Sequence, residues 1–355
     1  MTRELLVQRW ADGYAAALVE DGEVEDVVLA PALGATAAGA LHVARVDQSR
    51  ADLGLTFVML EGDVPASLET GREVPTPGER LLVQVAAPAR DGKPVRVRRR
   101  LSLPGQLVVL NPGGRALRVA RRAQRALASR AMATALHERA PAGCGLTIRS
   151  AAARAPEDAV VAELDRLSRL WRAVDARVAG AAVPSFLYAD PPAWRAALPL
   201  LRAEPARLLV AERHLVREFA AFGVVATLAE GGDLFDQAGV GEALSAAEAV
   251  VVDLPLGGSI ALERTRALLA VDIDSSGGDA ASVNLRAVPV IARQLRLRDA
   301  LGTVLVDFLR GPAAQQRRLE REIEAAVALD RRHVDLLGWT RGGLFELRRS
   351  EEVAE

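Results

Sequence analysis

Cysteine occurs once in 355 residues, at Cys144, which excludes a disulfide framework and any cysteine-rich zinc site supplied by one chain. Lysine also occurs once, at Lys93, so the basic side chains are otherwise all arginine. Phe, Trp and Tyr make up only 4% of the chain, which leaves few platforms for stacking nucleobases. Neither sign of charge dominates: 45 basic residues face 46 acidic ones, and a uniformly basic nucleic-acid coat is excluded. No apolar run approaches the roughly 18 residues of a membrane span. The opening MTRELLVQRWADG carries Glu4 and Asp12 where a signal peptide needs an unbroken apolar core. These absences predict a soluble, cytoplasmic protein with no membrane span.

What is present is a globular composition. Half of the residues are apolar and 26% are charged, which excludes disorder over most of the length. The length predicts more than one compact unit. Charge is unevenly spread. From Arg90 to Arg130 the chain has twelve basic residues and one acid, Asp91, so this window is strongly positive and the remainder negative. Val95 and Val97 alternate with Arg96 and Arg98, as in a strand presenting guanidinium groups on one face. Arg118, Arg121, Arg122 and Arg125 recur at helical spacing. A solvated face would show the same run, but two neighbouring elements with arginine faces favour a polyanion contact.

Periodicity gives a coarse map. Glu20-Asp21-Gly22 marks a hairpin turn between two early apolar runs. Several short strands between about 39 and 104 predict a small β-barrel. Val160, Leu164, Leu167, Trp171, Val174 and Val178 form one stripe of a long helix. From about 187 helices and strands alternate, ending with the strand AVVVDL. Then follow a hairpin turning at Glu263-Arg264-Thr265, a helix VNLRAVPVIARQLRLRD, the strand TVLVDF, a further helix and two closing strands.

Three carboxylates stand out. Asp272 and Asp274 lie two apart at a strand's carboxyl end and share a face. Asp307 ends TVLVDF. A strand, crossover helix and strand make two parallel neighbours, so all three carboxylates are expected to meet at one sheet edge. Oxygen-only ligands favour Mg²⁺ or Mn²⁺. Strand-end aspartates that merely cap turns would have the same spacing, and composition leaves both readings open.

The string NLRAVPVIARQLRLRDALGTVLVDF closely resembles the catalytic segment of the ribonuclease E/G family of bacterial endoribonucleases. Ile291 to Asp299 match its helix, Gly257-Gly258-Ser259-Ile260 its glycine-rich hairpin, and TRGGLFELRR its closing segment. The resemblance is strongest from about 254 to 349. It implies an α/β multidomain fold. An RNase H-like subdomain would comprise 1–38 and 187–253, interrupted by an S1-type OB barrel at 39–104 and a 5′-sensor region at 105–186. A DNase I-like catalytic subdomain would follow at 254–355.

The resemblance also implies roles. Asp272 and Asp307 match the family's Mg²⁺ ligands, and Asp274 stands where an Asn is usual, adding charge and losing an N–H donor. Arg149 and Ser150 match the pair that holds a 5′-monophosphate. Phe57 and Lys93 match RNA contacts of the barrel; Arg98 and Arg122 join them from the basic window, and Arg341 and Arg348 from the closing segment. The family's second barrel aromatic is missing in VPASL, and Leu309-Arg310 stands where a second acid follows Asp-Phe. The two-cysteine link that many members carry is missing, so the resemblance is to a short, ribonuclease G-like member without it, and neither zinc nor a zinc-stapled tetramer is expected. A homodimer through the nuclease domain remains open. The implied activity is Mg²⁺-dependent cleavage of single-stranded RNA to 5′-phosphate and 3′-hydroxyl ends, in RNA processing and decay. The alternative is a non-catalytic RNA-binding relative.

Overall fold

A computed structural model of the chain describes residues 2–32, 34–71, 73–90, 92–120, 123–124, 130–201 and 207–353. The first three strands, β1 (Arg3–Trp10), β2 (Gly13–Glu20) and β3 (Glu23–Ala30), form two hairpins. The second turns at Asp21 and Gly22, both with positive φ, the geometry that matches the strands' own twist. β4 (Leu41–Arg50), β5 (Leu55–Leu60), β6 (Val64–Glu69), β7 (Arg80–Ala87) and β8 (Val95–Arg98) follow. They are ordered β4-β5-β6-β8-β7, and β7 pairs back onto β4, so the barrel is closed and of OB type. Every second residue points inward: Val95 and Val97 are buried while Arg96 and Arg98 face solvent.

Four short strands come next: β9 (Leu103–Pro104), β10 (Val108–Pro112), β11 (Leu117–Val119) and β12 (Cys144–Ile148), in the order β11-β12-β10-β9. Between the last two lies helix α1 (Arg130–Arg139). Arg118, read from spacing as part of a helical arginine face, lies in β11, because Leu117–Val119 pairs in parallel with β12. Helix α2 (Glu157–Val178) covers this sheet with Val160, Leu164, Leu167 and Val174, the stripe its sequence spacing predicts. β13 (Ser185–Tyr188) returns to pair with β4 of the barrel.

The chain then goes back to its start. Helix α3 (Pro192–Ala197) is followed by β14 (Arg207–Val210), α4 (Arg213–Ala221), β15 (Thr227–Leu228), α5 (Leu234–Gln237) and α6 (Val240–Ala246). β14 and β15 extend the first sheet in parallel with β1, giving the order β15-β14-β1-β2-β3. Trp194 and Phe219 are buried beneath this sheet with Leu5, Val7 and Val210.

The last sheet has six strands, β16 (Val251–Asp253), β17 (Ser259–Arg264), β18 (Leu268–Asp274), β19 (Gly302–Asp307), β20 (Arg332–Trp339) and β21 (Phe345–Val353). Their order is β16-β17-β18-β19-β21-β20, with helices α7 (Ala280–Leu297) and α8 (Ala313–Val327) packed on one face. Two details depart from the periodicity reading. β16, expected to close the preceding α/β section, pairs with β17 and belongs to this sheet. The β17–β18 turn is Thr265-Arg266-Ala267, later than expected, because Glu263 and Arg264 still pair with Ala270 and Leu269. The Thr265 hydroxyl fixes that turn by accepting from the backbone N–H groups of Ala267 and Leu268. No helix among the described residues is long and apolar enough to cross a membrane.

Candidate active site

In β18, Leu269, Val271 and Ile273 point into the core under α7 and α8, so Asp272 and Asp274 point to the open face. The crossover β18–α7–β19 makes β18 and β19 parallel neighbours, with Asp272 paired directly to Asp307 at the carboxyl ends of both strands. Neighbouring strands lie about 4.8 Å apart, so two exposed carboxylates stand side by side. Among the described residues neither takes an ion pair or a side-chain hydrogen bond. Two uncompensated carboxylates on one edge repel each other and attract a cation.

The third carboxylate does not join them. Asp274 lies beyond the last pair of the parallel ladder, and its Oδ1 accepts from the Ser276 N–H at 2.7 Å. It caps the loop that leads to α7, and no group of three or more His, Cys, Asp or Glu side chains converges as a metal cage among the described residues. The expected three-carboxylate cluster is therefore a pair with a capping neighbour.

Two features hold this edge rigid. Gly258, at φ +92°, brings its α-carbon against the Asp274 carbonyl, where a Cβ would sit at 2.7 Å, so only glycine fits. Asn284, buried on α7, clamps the segment after Asp307: its Nδ2 donates to the Leu309 carbonyl at 2.8 Å and its Oδ1 accepts from the Leu309 N–H at 3.0 Å. Asn284 was legible only as part of NLRAVPVIARQ; nothing in its spacing pointed to a contact 25 residues away. Arg310 is exposed just past the clamp. Arg341 is exposed in the β20–β21 turn, and Phe345 pairs with Val306, so that turn lies at the Asp307 end of the sheet. Arg348, expected near the site, pairs instead with Thr303. β21 runs antiparallel to β19, so each step past Phe345 moves away from Asp307, and Arg348 lies roughly 13 Å along the strand from it.

The ribonuclease E/G family model matches residues 102–352, which include the carboxylate pair and its clamp. The chain belongs to the ribonuclease E/G family. It is 27% identical over 303 residues to a ribonuclease E of Nostoc sp., covering 79% of this chain and 44% of that one. To ribonuclease E of Escherichia coli it is 30% identical over 302 residues, covering 78% of this chain and 28% of that one. A ribonuclease E of Buchnera aphidicola is 42% identical over 107 residues, 28% of this chain and 12% of that one. The chain thus spans less than half the length of these curated relatives.

Other residues that the family resemblance singles out are spread over the molecule. Arg149 follows β12 almost fully buried, with Nη1 donating to the Gly105 carbonyl at 2.6 Å, and Ser150 opens the short helical turn that comes next. Glu163, which no sequence pattern flagged, completes this corner: its carboxylate accepts from the N–H groups of Gln106, Leu107 and Val108 at 2.6–2.9 Å. Its signal was only an acid on the buried stripe of α2. In the barrel, Phe57 is half-buried on β5 opposite Ser67, and Lys93 is exposed in a turn bridged to Arg90. Arg98 is exposed on β8 with Nη2 donating to Gln84 Oε1 at 3.0 Å. Arg122 lies outside the described residues.

The family implies a divalent cation, and the donor set fits one. Asp272 and Asp307 offer hard oxygen ligands without competing partners. Mg²⁺ is commonly held by one or two carboxylates while keeping several waters and taking substrate phosphate oxygens. A pair rather than a cage suits Mg²⁺ or Mn²⁺ better than a closed structural site.

Proposed function

We propose that this chain is a divalent-metal-dependent endoribonuclease acting on single-stranded RNA, leaving 5′-phosphate and 3′-hydroxyl ends. The observation that carries the reading is the Asp272–Asp307 pair, adjacent in register and unpartnered among the described residues, within the family-matched part of the chain. Bound there, Mg²⁺ would polarise the scissile phosphate and offset its charge. Asp272 and Asp307 would hold the cation, and Asn284 keeps Asp307 in place through the Leu309 backbone. Asp274 orders the loop beside the cleaved bond through Ser276. Arg310 and Arg341 are the exposed cations on this edge that meet phosphate oxygens.

The same reading assigns RNA contacts to Phe57, Lys93 and Arg98 of the barrel, taken as an S1-type module, and a 5′-monophosphate contact to Arg149 and Ser150. It also places the protein in the cytoplasm, in RNA processing and decay, as a homodimer through the nuclease sheet. The deciding experiment uses a fluorescent 5′-monophosphorylated oligoribonucleotide and its 5′-hydroxyl counterpart, with Mg²⁺, with Mn²⁺ and with chelator. Cleavage only with the cation, and faster for the monophosphate, is the expected result. RNA binding without any cleavage would overturn the enzymatic reading, and equal rates for the two substrates would remove the sensor from it.

A further inference from the structure

Leu256 occupies a place that neither folding nor packing explains. Its side chain is 92% exposed, more than any other large apolar residue among those described. Its backbone sits at φ +65°, a region that bulky side chains avoid. Leu254-Pro255-Leu256-Gly257 is a tight turn closed by the Gly257 N–H donating to the Leu254 carbonyl. Pro255 takes the second position, where proline fits, and Leu256 takes the third, where a type II turn normally has Gly or Asn. Strain and exposure are thus combined in one residue, a combination that clusters at binding sites.

The turn is not loose. The Leu254 N–H donates to the Gly258 carbonyl at 2.9 Å, and Arg286 of α7 donates from Nη2 to the Gly257 carbonyl at 3.2 Å. Gly258 packs on the Asp274 carbonyl. The turn also lies where the chemistry lies. Ser259, just after it, pairs with Asp274, and Ala261 pairs with Asp272, itself beside Asp307. Leu256 is therefore held in the turn that leads into the strand beside the carboxylate edge, three residues before Ser259. With only 4% aromatic residues in the chain, few other side chains can meet a base there.

We propose that Leu256 is an apolar wedge that packs against an unstacked nucleobase of the RNA strand next to the phosphodiester held at Asp272 and Asp307. This rests on the ribonuclease reading above. Aliphatic wedges that slip against bases are a known way of holding a strand in a bent or unstacked form. An exposed leucine would be sequence-tolerant, because every base offers an apolar face.

The test is RNA affinity by fluorescence anisotropy in chelator, so that cleavage plays no part, with wild type and Leu256→Gly. Glycine suits φ +65°, so the variant should fold with undiminished thermal stability. Its affinity for single-stranded RNA should fall roughly fivefold, with the same salt slope, because no phosphate contact is lost. Single abasic sites moved along the RNA should abolish the difference between the two proteins at one position. Equal affinities overturn the wedge, as does a deficit that persists at every abasic position. So does a loss of self-association in sedimentation at unchanged RNA affinity, which would assign Leu256 to a second copy of the chain. A wild type that binds RNA and never cuts it removes the proposed activity while leaving the wedge measurable.

Discussion

Two groups of carboxylates at opposite ends of the same six-stranded sheet have opposite surroundings. At one end, Asp272 and Asp307 are exposed, adjacent and unpartnered among the described residues. At the other, Asp299 and Asp330 are absorbed by arginines. Arg349, fully buried, makes a two-pronged contact with Asp330 at 2.9 and 3.0 Å and reaches Asp299 at 3.1 Å. Arg332 grips both oxygens of Asp299 at 2.8 Å. Arg331 bonds Asp299 and the buried Asp26 of β3. Arg296 and Arg293 of α7 dock on Glu25 and on the Val24 carbonyl of the same strand. Three of these residues, Arg293, Arg296 and Asp299, belong to the string IARQLRLRD, which carries much of the resemblance to the family. That string joins the last sheet to the first sheet; the proposed chemistry would lie in the less conspicuous strand ends. A carboxylate left unpaired is the better mark of the site.

The largest expected effect follows from the unpaired group. Asp272→Asn and Asp307→Asn should each lower kcat about a thousandfold, since cation stabilisation of developing charge is worth several kcal/mol. RNA affinity in chelator should stay within a few fold, because it comes mostly from arginines elsewhere. Single-turnover cleavage beside anisotropy measures both, and turnover like the wild type's would sink the comparison.

The paired group should behave the other way. Arg349→Met leaves Asp330 buried without its main partner, which costs about 3–5 kcal/mol of stability. Urea titration reads the loss, and cleavage by the fraction still folded should be near normal. A loss below about 1 kcal/mol would mean that the network carries little of the subdomain contact.

Asn284 joins the two behaviours, since it is buried like the network and acts on the site. Asn284→Ala leaves the Leu309 N–H and carbonyl without their partner, costing about 1–3 kcal/mol of stability. Loosening Asp307 should also lower kcat and weaken Mn²⁺ binding by roughly tenfold, with little change in KM. Unaltered Mn²⁺ binding, read by electron paramagnetic resonance, would reduce Asn284 to a structural role.

The site was legible in part. Asp272 and Asp307 come together because strand, helix and strand dictate parallel neighbours, a local rule that sequence carries. The closed barrel and the apolar stripe of α2 follow from period-two and helical patterning in the same way. What sequence did not carry depends on register or on distant partners. Asp274 lies two residues past the last pair of the parallel ladder, and it accepts from the Ser276 N–H instead. Arg348 is carried away by antiparallel pairing. Glu163 and Asn284 matter through contacts more than 20 residues away, which no spacing encodes.

The smallest expected effect is a pH dependence of the paired group. Burial pushes the Asp299 carboxyl up, but the guanidinium groups of Arg332 and Arg349 outweigh it and hold the group below its ordinary value of 3.8. A carboxylate depressed in the folded state contributes stability that is fully present above its unfolded pKa. That contribution is lost as pH falls through the lower folded value. The stability difference between wild type and Asp299→Asn should therefore be constant from pH 7 down to about 5 and shrink below about pH 4. Its size is limited because 38% of the Asp299 side chain meets solvent, which screens the ion pairs. Urea titrations of both proteins at about pH 3, 4, 5 and 7 resolve the curve. A difference that persists unchanged to pH 3 or so would show that Asp299 holds its arginines by shape rather than by charge.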